Sequence, residues 1–234
     1  MIEFKNVSVT YENKNKIETQ ALDNTSLKIG QGEFVFIVGQ SGAGKSTLTK
    51  LLIAEVVPTE GDVIVNDCYV NELSHKEIPY FRRKIGMVFQ DFRLLPNKTV
   101  YENVAFALEI VGASPKQIRR KVPEALSRVN LSDKAKSYPD QLSGGEQQRV
   151  AIARAIVNKP SIIIADEPTG NLDPKISAEI LQMLLQINEE GTTVVVVTHD
   201  MKIVENSRKR VIRLDHGKIA ADSIGGVMNE ASYN

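Results

Sequence analysis

Apolar and polar positions alternate over residues 2–11, with Ile2, Phe4, Val7 and Val9 in phase, which predicts a strand with one wet face. The polar stretch 12–20 predicts a loop. Alternation resumes over 21–29 through Leu22 and Leu27, and Gly30-Gln31-Gly32 turns the chain. Residues 33–38 (EFVFIV) form a continuous apolar run, read as a buried strand. Residues 47–55 bring Leu48, Leu51 and Leu52 to one face of a helix. A turn at 58–61 leads into a short strand at 62–65, and 85–89 (IGMVF) is a further apolar strand ending at Gln90.

From 91 to about 138 the strand pattern stops and helical spacing takes over. Val100, Val104, Leu108 and Val111 recur in one segment, and Ile118, Val122, Leu126 and Val129 in the next. This predicts a helical lobe inserted into a sheet domain. A helix over 146–158, capped by Ser143, closes the lobe with Val150, Ala153, Ile156 and Val157 on its apolar face. Then come a buried strand at 161–165, a helix at 174–189 capped by Asp173, and a buried strand at 192–197. A short helix at 201–206 and a hairpin over 211–214 and 218–220 follow. From about Gly225 no periodicity remains and a frayed tail is expected.

Composition narrows the classes. The 234 residues suffice for one large α/β domain or two small lobes, and 42% hydrophobic with 25% charged residues is ordinary for a soluble globule. Lys and Arg number 29 and Asp and Glu 29, so no global field favours nucleic acid or an anionic lipid surface. The basic groups at 82–84, 116–121 and 208–210 read as solvated faces. Cys68 is the single cysteine, which excludes an intrachain disulfide, fits a reducing compartment and reads as a small apolar residue. The N-terminal residues lack the basic-then-apolar build of a signal peptide. No apolar run approaches the ~20 residues that span a bilayer, so any membrane-spanning part is expected to come from a partner.

The chemistry starts at residues 39–47, Gly-Gln-Ser-Gly-Ala-Gly-Lys-Ser-Thr, which fit the phosphate-binding loop G-x-x-x-x-G-K-[ST] between a strand and a helix. Gly39, Gly42 and Gly44 free the backbone, so that amides around Ser41, Ala43 and Thr47 can cradle an anion at a helix start. Lys45 supplies a cation for the β- and γ-phosphates, and the Ser46 hydroxyl can join a Mg²⁺ shell. Asp166 and Glu167 end a buried strand, where one acid can serve a metal and the other orient water. Gln90 leaves its strand as either a ligand-facing polar group or a simple cap. Ser143-Gly144-Gly145 reads equally as an anion seat or as a helix cap. Tyr11, by itself, reads as an ordinary strand-end aromatic.

At Leu142-Ser-Gly-Gly-Glu-Gln147 these pieces form an ordered set with Tyr11, the loop 39–47, Gln90, Asp166-Glu167, Asn171-Leu-Asp173 and His199. With this set the chain resembles the ATP-binding subunits of ABC transporters over roughly residues 1–222. The resemblance implies a P-loop NTPase core with an antiparallel β subdomain (1–90 and 159–222), an inserted α-helical subdomain carrying the signature (91–158), and a flexible tail (223–234). It implies ATP and Mg²⁺ as ligands. Tyr11 would stack on adenine; Lys45 and the backbone of 42–47 would hold phosphates; Ser46, Gln90 and, through water, Asp166 would serve Mg²⁺. Glu167 would polarise the attacking water and His199 contact the γ-phosphate. Asp173 would communicate across a homodimer formed with ATP, in which Ser143, Gly144 and Gly145 reach the γ-phosphate held by the other copy. The signature has Glu146 where Gln is commonest.

Residues 81–114 and 153–174 most resemble the cell-division branch of that family. That branch implies an integral membrane partner, a location at the cytoplasmic face of the membrane, and indirect control of extracytoplasmic cell-wall hydrolases. The alternatives are a conventional exporter, importer or lipoprotein-release ATPase, and a non-hydrolysing nucleotide-gated scaffold. A DNA-repair ATPase of the superfamily would carry long heptad arms between loop and signature, and residues 47–141 contain none.

Overall fold

The computed structural model describes residues 1–12 and 17–223. In chain order its elements are β1 (Ile2–Glu12), β2 (Glu18–Ile29), β3 (Phe34–Val38), α1 (Lys45–Leu52), β4 (Glu60–Val65), β5 (Cys68–Tyr69), α2 (Ile78–Arg82) and β6 (Ile85–Val88). They continue as α3 (Val100–Ile110), α4 (Pro115–Arg128), α5 (Gly144–Ile156), β7 (Ile162–Asp166), α6 (Pro174–Glu189), β8 (Thr193–Val197), α7 (Met201–Ser207), β9 (Arg210–Asp215) and β10 (Lys218–Ser223). The chain divides into two compact units, 1–82 with 193–234 and 83–192.

The first unit contains two kinds of sheet. β1 lies between β2 and β4, antiparallel to both, with β5 outside β4. β3 is flanked by β8 and β9, parallel to each, and β9 turns back antiparallel into β10. All five residues of β3 are buried, as are all five of β8. Strands buried on both faces read as continuous apolar runs, which is why 33–38 and 192–197 are legible by hydrophobicity alone. Leu48, Leu51 and Leu52 of α1 are fully buried, as their spacing predicts.

Some boundaries differ from expectation. The predicted loop 12–20 is strand at both ends, with Tyr11 paired to Thr19 and Glu12 to Glu18. This hairpin is held by backbone bonds and its side chains are exposed, so no apolar alternation marks it. Helix α1 starts at Lys45, two residues early, because Gly44 takes a left-handed φ of 102° as its N-cap. The first turn is polar and carries no apolar period. The tail expected to fray from Gly225 lies outside the described residues.

In the second unit β6 and β7 pair in parallel. Helix α5 packs directly on β6: a Cβ at Gly86 would sit 2.8 Å from the Ala155 carbonyl oxygen and 3.0 Å from the Pro160 ring. α3, α4 and α5 bury Val100, Val104, Leu108, Val122, Leu126, Val150 and Ile152. The helical boundaries follow side-chain caps. Thr99 and Glu102 form a capping box on α3, and Ser114 and Gln117 one on α4, which Pro115 begins. Helix α5 begins at Gly144, also earlier than its apolar pattern, because Ser143 caps it. A Cβ at Gly145 would meet Ile176 Cγ2 at 2.6 Å, so the bare glycine lets α6 approach. None of the described helices is long and apolar enough to cross a membrane.

One buried polar side chain organises the entry to this helical unit. Asn103 is fully buried on α3. Its Oδ1 accepts from Leu95 N at 2.8 Å, and its Nδ2 donates to the carbonyls of Lys98 at 2.9 Å, Thr99 at 3.0 Å and Leu95 at 3.2 Å. Asn103→Ala takes the side-chain partner from Leu95 N and the Lys98 carbonyl inside the protein, while the Thr99 and Leu95 carbonyls keep the amides of Asn103 and Lys98. A loss of about 2–4 kcal/mol is expected in chemical unfolding, and an unchanged midpoint would refute this role.

Candidate active site

The phosphate loop leaves the C-terminal end of β3 and enters α1 in the first unit. Two of its glycines are required by close approach. A Cβ at Gly39 would lie 2.4 Å from the Leu214 carbonyl oxygen, and one at Gly44 2.5 Å from that of Ala21 and 2.9 Å from Leu22 Cδ2. At Gly42 φ is +82° and the space beyond is open. The amides at the start of α1 therefore follow from an arrangement that only glycine permits.

What sets α1 apart is its open end. α3, α4, α5, α6 and α7 are capped by the side chains of Thr99, Ser114, Ser143, Asp173 and Asp200. No side chain caps α1. Its first N–H groups are left for an external acceptor, and a helix start of this kind favours an anion. Lys45, in that first turn, folds back: Nζ donates to Gly39 O at 2.7 Å and Gln40 O at 3.0 Å. The cation is thereby held over the loop by neutral acceptors that a phosphate can replace. Ser46 is exposed beside it, and Ser41 at the loop's tip.

Two other sequence-predicted residues reach this loop. The Tyr11 hydroxyl lies 3.4 Å from Thr47 Oγ1, and the residue is 38% exposed, which leaves its ring available to a planar ligand. His199, at the end of β8, lines a cavity of about 420 Å³ with Gly39, Gln40, Met201 and Arg213. Arg213 was invisible to sequence reasoning, since it sits in the final hairpin with no motif around it.

The second unit carries its polar residues at the same ends of its parallel strands. Gln90 follows β6; Asp166 ends β7 and Glu167 follows it. Asp166 and Glu167 are half-buried, and Gln90 is exposed. Gln90 and Glu167 share one neighbour: a Cβ at Gly170 would lie 3.1 Å from Gln90 Nε2 and 3.6 Å from Glu167 Cβ. The fold thus sets the Gln90 amide against the turn that follows Glu167, from positions 77 apart in sequence. Glu167 adopts φ +46°, rare for a non-glycine residue and costing about 1–2 kcal/mol. Just past Gln90, Phe92 and Arg93 are both left-handed as well, at φ 58° and 47°.

Ser143 and Asp173 serve as helix caps here. Ser143 Oγ accepts from Glu146 N at 3.3 Å and donates to Glu146 Oε2 at 2.9 Å, and Ser143 N donates to the same carboxylate at 2.9 Å. The Ser143 amide and hydroxyl, with Lys134 nearby, hold the Glu146 carboxyl below the usual carboxylate range. The acid at the departing position of the signature is accounted for by this box. Asp173 Oδ1 accepts from Lys175 N and Ile176 N at the start of α6.

The donors suit magnesium. A hydroxyl, an amide and a carboxylate are hard oxygen ligands, and Mg²⁺ commonly takes one or two carboxylates plus substrate phosphates. No group of three His, Cys, Asp or Glu that could hold an ion occurs among the described residues.

Comparison with known proteins decides the family. The profile described as ABC transporter matches residues 22–170. The chain belongs to the ABC transporter ATP-binding family. It is 53% identical over 226 residues to the cell division ATP-binding protein FtsE of Bacillus subtilis (strain 168), with 97% of each chain covered. It is 46% identical over 225 residues to the methionine import ATP-binding protein MetN of Carboxydothermus hydrogenoformans, covering 96% of this chain and 66% of that one. Among solved structures it is similar to the dimeric post-hydrolysis state of the ATP-binding cassette MJ0796 bound to ADP and Pi. The TM-score is 0.87 and the identity 42%, over 96% of this chain and 98% of that one. The protein is an ATPase with the α/β P-loop fold of ABC cassettes, as its motifs imply, and the scaffold alternative is set aside.

Lys45→Ala removes the one flexible cation of the loop while leaving the backbone cradle. Nucleotide affinity is expected to fall about ten- to a hundredfold, the value of charge-assisted hydrogen bonds to phosphate. Titration with a fluorescent ATP analogue measures it, and unchanged binding would exclude Lys45 from the phosphate site.

Proposed function

We propose that the protein is the ATP-hydrolysing subunit of an FtsEX-like complex in cell division, where ATP turnover moves an integral membrane partner that controls cell-wall hydrolases outside. The observation that supports this reading is the 53% identity to an FtsE across 97% of both chains. In this reading the protein sits at the cytoplasmic face of the membrane through an FtsX-like subunit, and a groove beside Gln90 passes the motion to it.

The residues divide the work. The amides of 42–47 and Lys45 bind the phosphates, and Tyr11 stacks on the base. Ser46, Gln90 and, through water, Asp166 would hold Mg²⁺, which when bound would neutralise developing charge on the phosphates. Glu167 accepts a hydrogen bond from the attacking water and orients it, while His199 fixes the γ-phosphate. Ser143, Gly144 and Gly145 serve the nucleotide of a second copy, so that turnover requires a homodimer, and Asp173 reports between the copies. The dimeric cassette bound to ADP and Pi supports that requirement for this chain.

A conventional transporter ATPase is the second reading, favoured by the 46% identity to MetN. The membrane subunit settles the choice. Affinity purification of the chain from native membranes is expected to bring down an FtsX-like protein, and recovery of a solute permease instead would establish the second reading.

Glu167→Gln tests the site. The variant is expected to bind ATP normally, to lose turnover by about a hundredfold or more, the range for a positioned base, and to accumulate a closed dimer in ATP. Wild-type hydrolysis by this variant would remove Glu167 from its role.

A further inference from the structure

The chain bends sharply just after Gln90, and the bend is held from outside. Phe92 and Arg93 are consecutive non-glycine residues in the left-handed region, a conformation that L-residues adopt only where surroundings over-determine it. Local contacts account for part of it: Phe92 N donates to Phe89 O at 3.2 Å and Arg93 N to Asp91 O at 2.6 Å. The Arg93 guanidinium stacks 3.9 Å from the Phe89 ring centre and pairs with Asp91 at 3.3 Å, in an exposed ion pair that adds little.

The remaining hold comes from α5. Arg154, in its last turn, donates through Nη1 to the Arg93 carbonyl and through Nη2 to the Phe92 carbonyl, the latter at 2.7 Å. These are the carbonyls of the two left-handed residues. Desolvation, with Arg93 nearby, pulls the Arg154 guanidinium below its usual pKa. Both of these bonds run to backbone oxygens and neither to a carboxylate. A half-buried cation spent on two backbone oxygens points to a positional purpose. At the other end of α5, a Cβ on Gly144 would sit 3.9 Å from Phe92 Cζ, so the Phe92 ring lies against the signature glycine. The bend after Gln90 is thus attached to both ends of one helix.

We infer that Arg154 is a positioning residue for ATP hydrolysis, whose forked guanidinium fixes the turn after Gln90 and makes Gln90 move as one body with the signature helix α5. The inference rests on the reading of Gln90 as a Mg²⁺ ligand. A displacement of α5 is carried by Arg154 to the amide of Gln90, and the alignment of the metal site then follows the position of the signature. Lysine cannot replace arginine here, because one ammonium on a flexible stem does not span two successive carbonyls in a fixed plane.

The test uses the full chain and compares Arg154→Met, Arg154→Lys, Gln90→Ala and Gln90→Ala/Arg154→Met. Arg154→Met is expected to bind an ATP analogue within about twofold of wild type, because the phosphate loop is untouched. It should lose about ten- to a hundredfold in kcat, as for a small misplacement of a reacting group. The Mg²⁺ concentration for half-maximal rate should rise several-fold, roughly within that same range. Arg154→Lys, which retains the charge and guards against misfolding, should show the same pattern more weakly. The double variant should lose no more than Gln90→Ala alone. Hydrogen exchange should quicken over residues 90–95 in the Arg154 variants and not elsewhere. Wild-type kcat with a loosened turn, or multiplying losses in the double variant, would overturn the inference. An unchanged Mg²⁺ dependence in Gln90→Ala would instead overturn the reading of Gln90, and quickened exchange in the Arg154 variants would still register the turn's attachment.

Discussion

A helix that begins without a side-chain cap holds this protein's chemistry in place. Helix α1 exposes its first amides, while the other long helices satisfy theirs with serine, threonine or aspartate. The first unit is built so that this end stays open. β3 is buried between two parallel strands and delivers the loop from their C-terminal edge. Leu214 and Ala21 press on Gly39 and Gly44, leaving no room for any side chain that could cap the amides. Arg210 braces the base of the same strands by bonding Glu33, Asp222 and the Lys28 carbonyl.

The second unit follows a different rule. Capping boxes close α3, α4 and α5 and the Asp173 side chain closes α6, and its functional side chains project from strand ends and the turns after them. Gln90 and Glu167 share the neighbour Gly170; Glu167 is itself left-handed, and so are Phe92 and Arg93 just past Gln90. Strain at such positions is tolerated where neighbours enforce it. The forked contact from Arg154 is one such enforcement, made by the helix that Ser143 starts.

Much of this was legible in the residues. Buried parallel strands announced themselves as apolar runs, and α3, α4 and α6 by their period of apolar positions. The capping roles of Ser143 and Asp173 are legible, because an oxygen-bearing side chain before a helical pattern has a local reason to be there, whereas the anion-seat reading of Ser143 is equally open in the sequence. The hairpin of β1 with β2 was not legible beyond Tyr11, because its exposed ends are polar on both faces. The first turns of α1 and α5 were missed because glycine, lysine and serine carry no hydrophobic period. The motif residues were legible as an ordered set, and the comparisons established the family to which that set belongs.

Sequence alone determined the phosphate loop, the order of strands and helices, and the chemical kind of each site residue. These depend on neighbours a few positions away, through backbone sterics, capping and periodic burial. Tertiary structure decided which of them touch. Gln90 and Glu167 lie 77 positions apart and share Gly170; Arg154 bonds carbonyls 61 and 62 positions earlier. Tyr11 reaches Thr47 across 36 positions. No local propensity records such meetings, since they arise only when strand pairing and helix packing close the long loops between them.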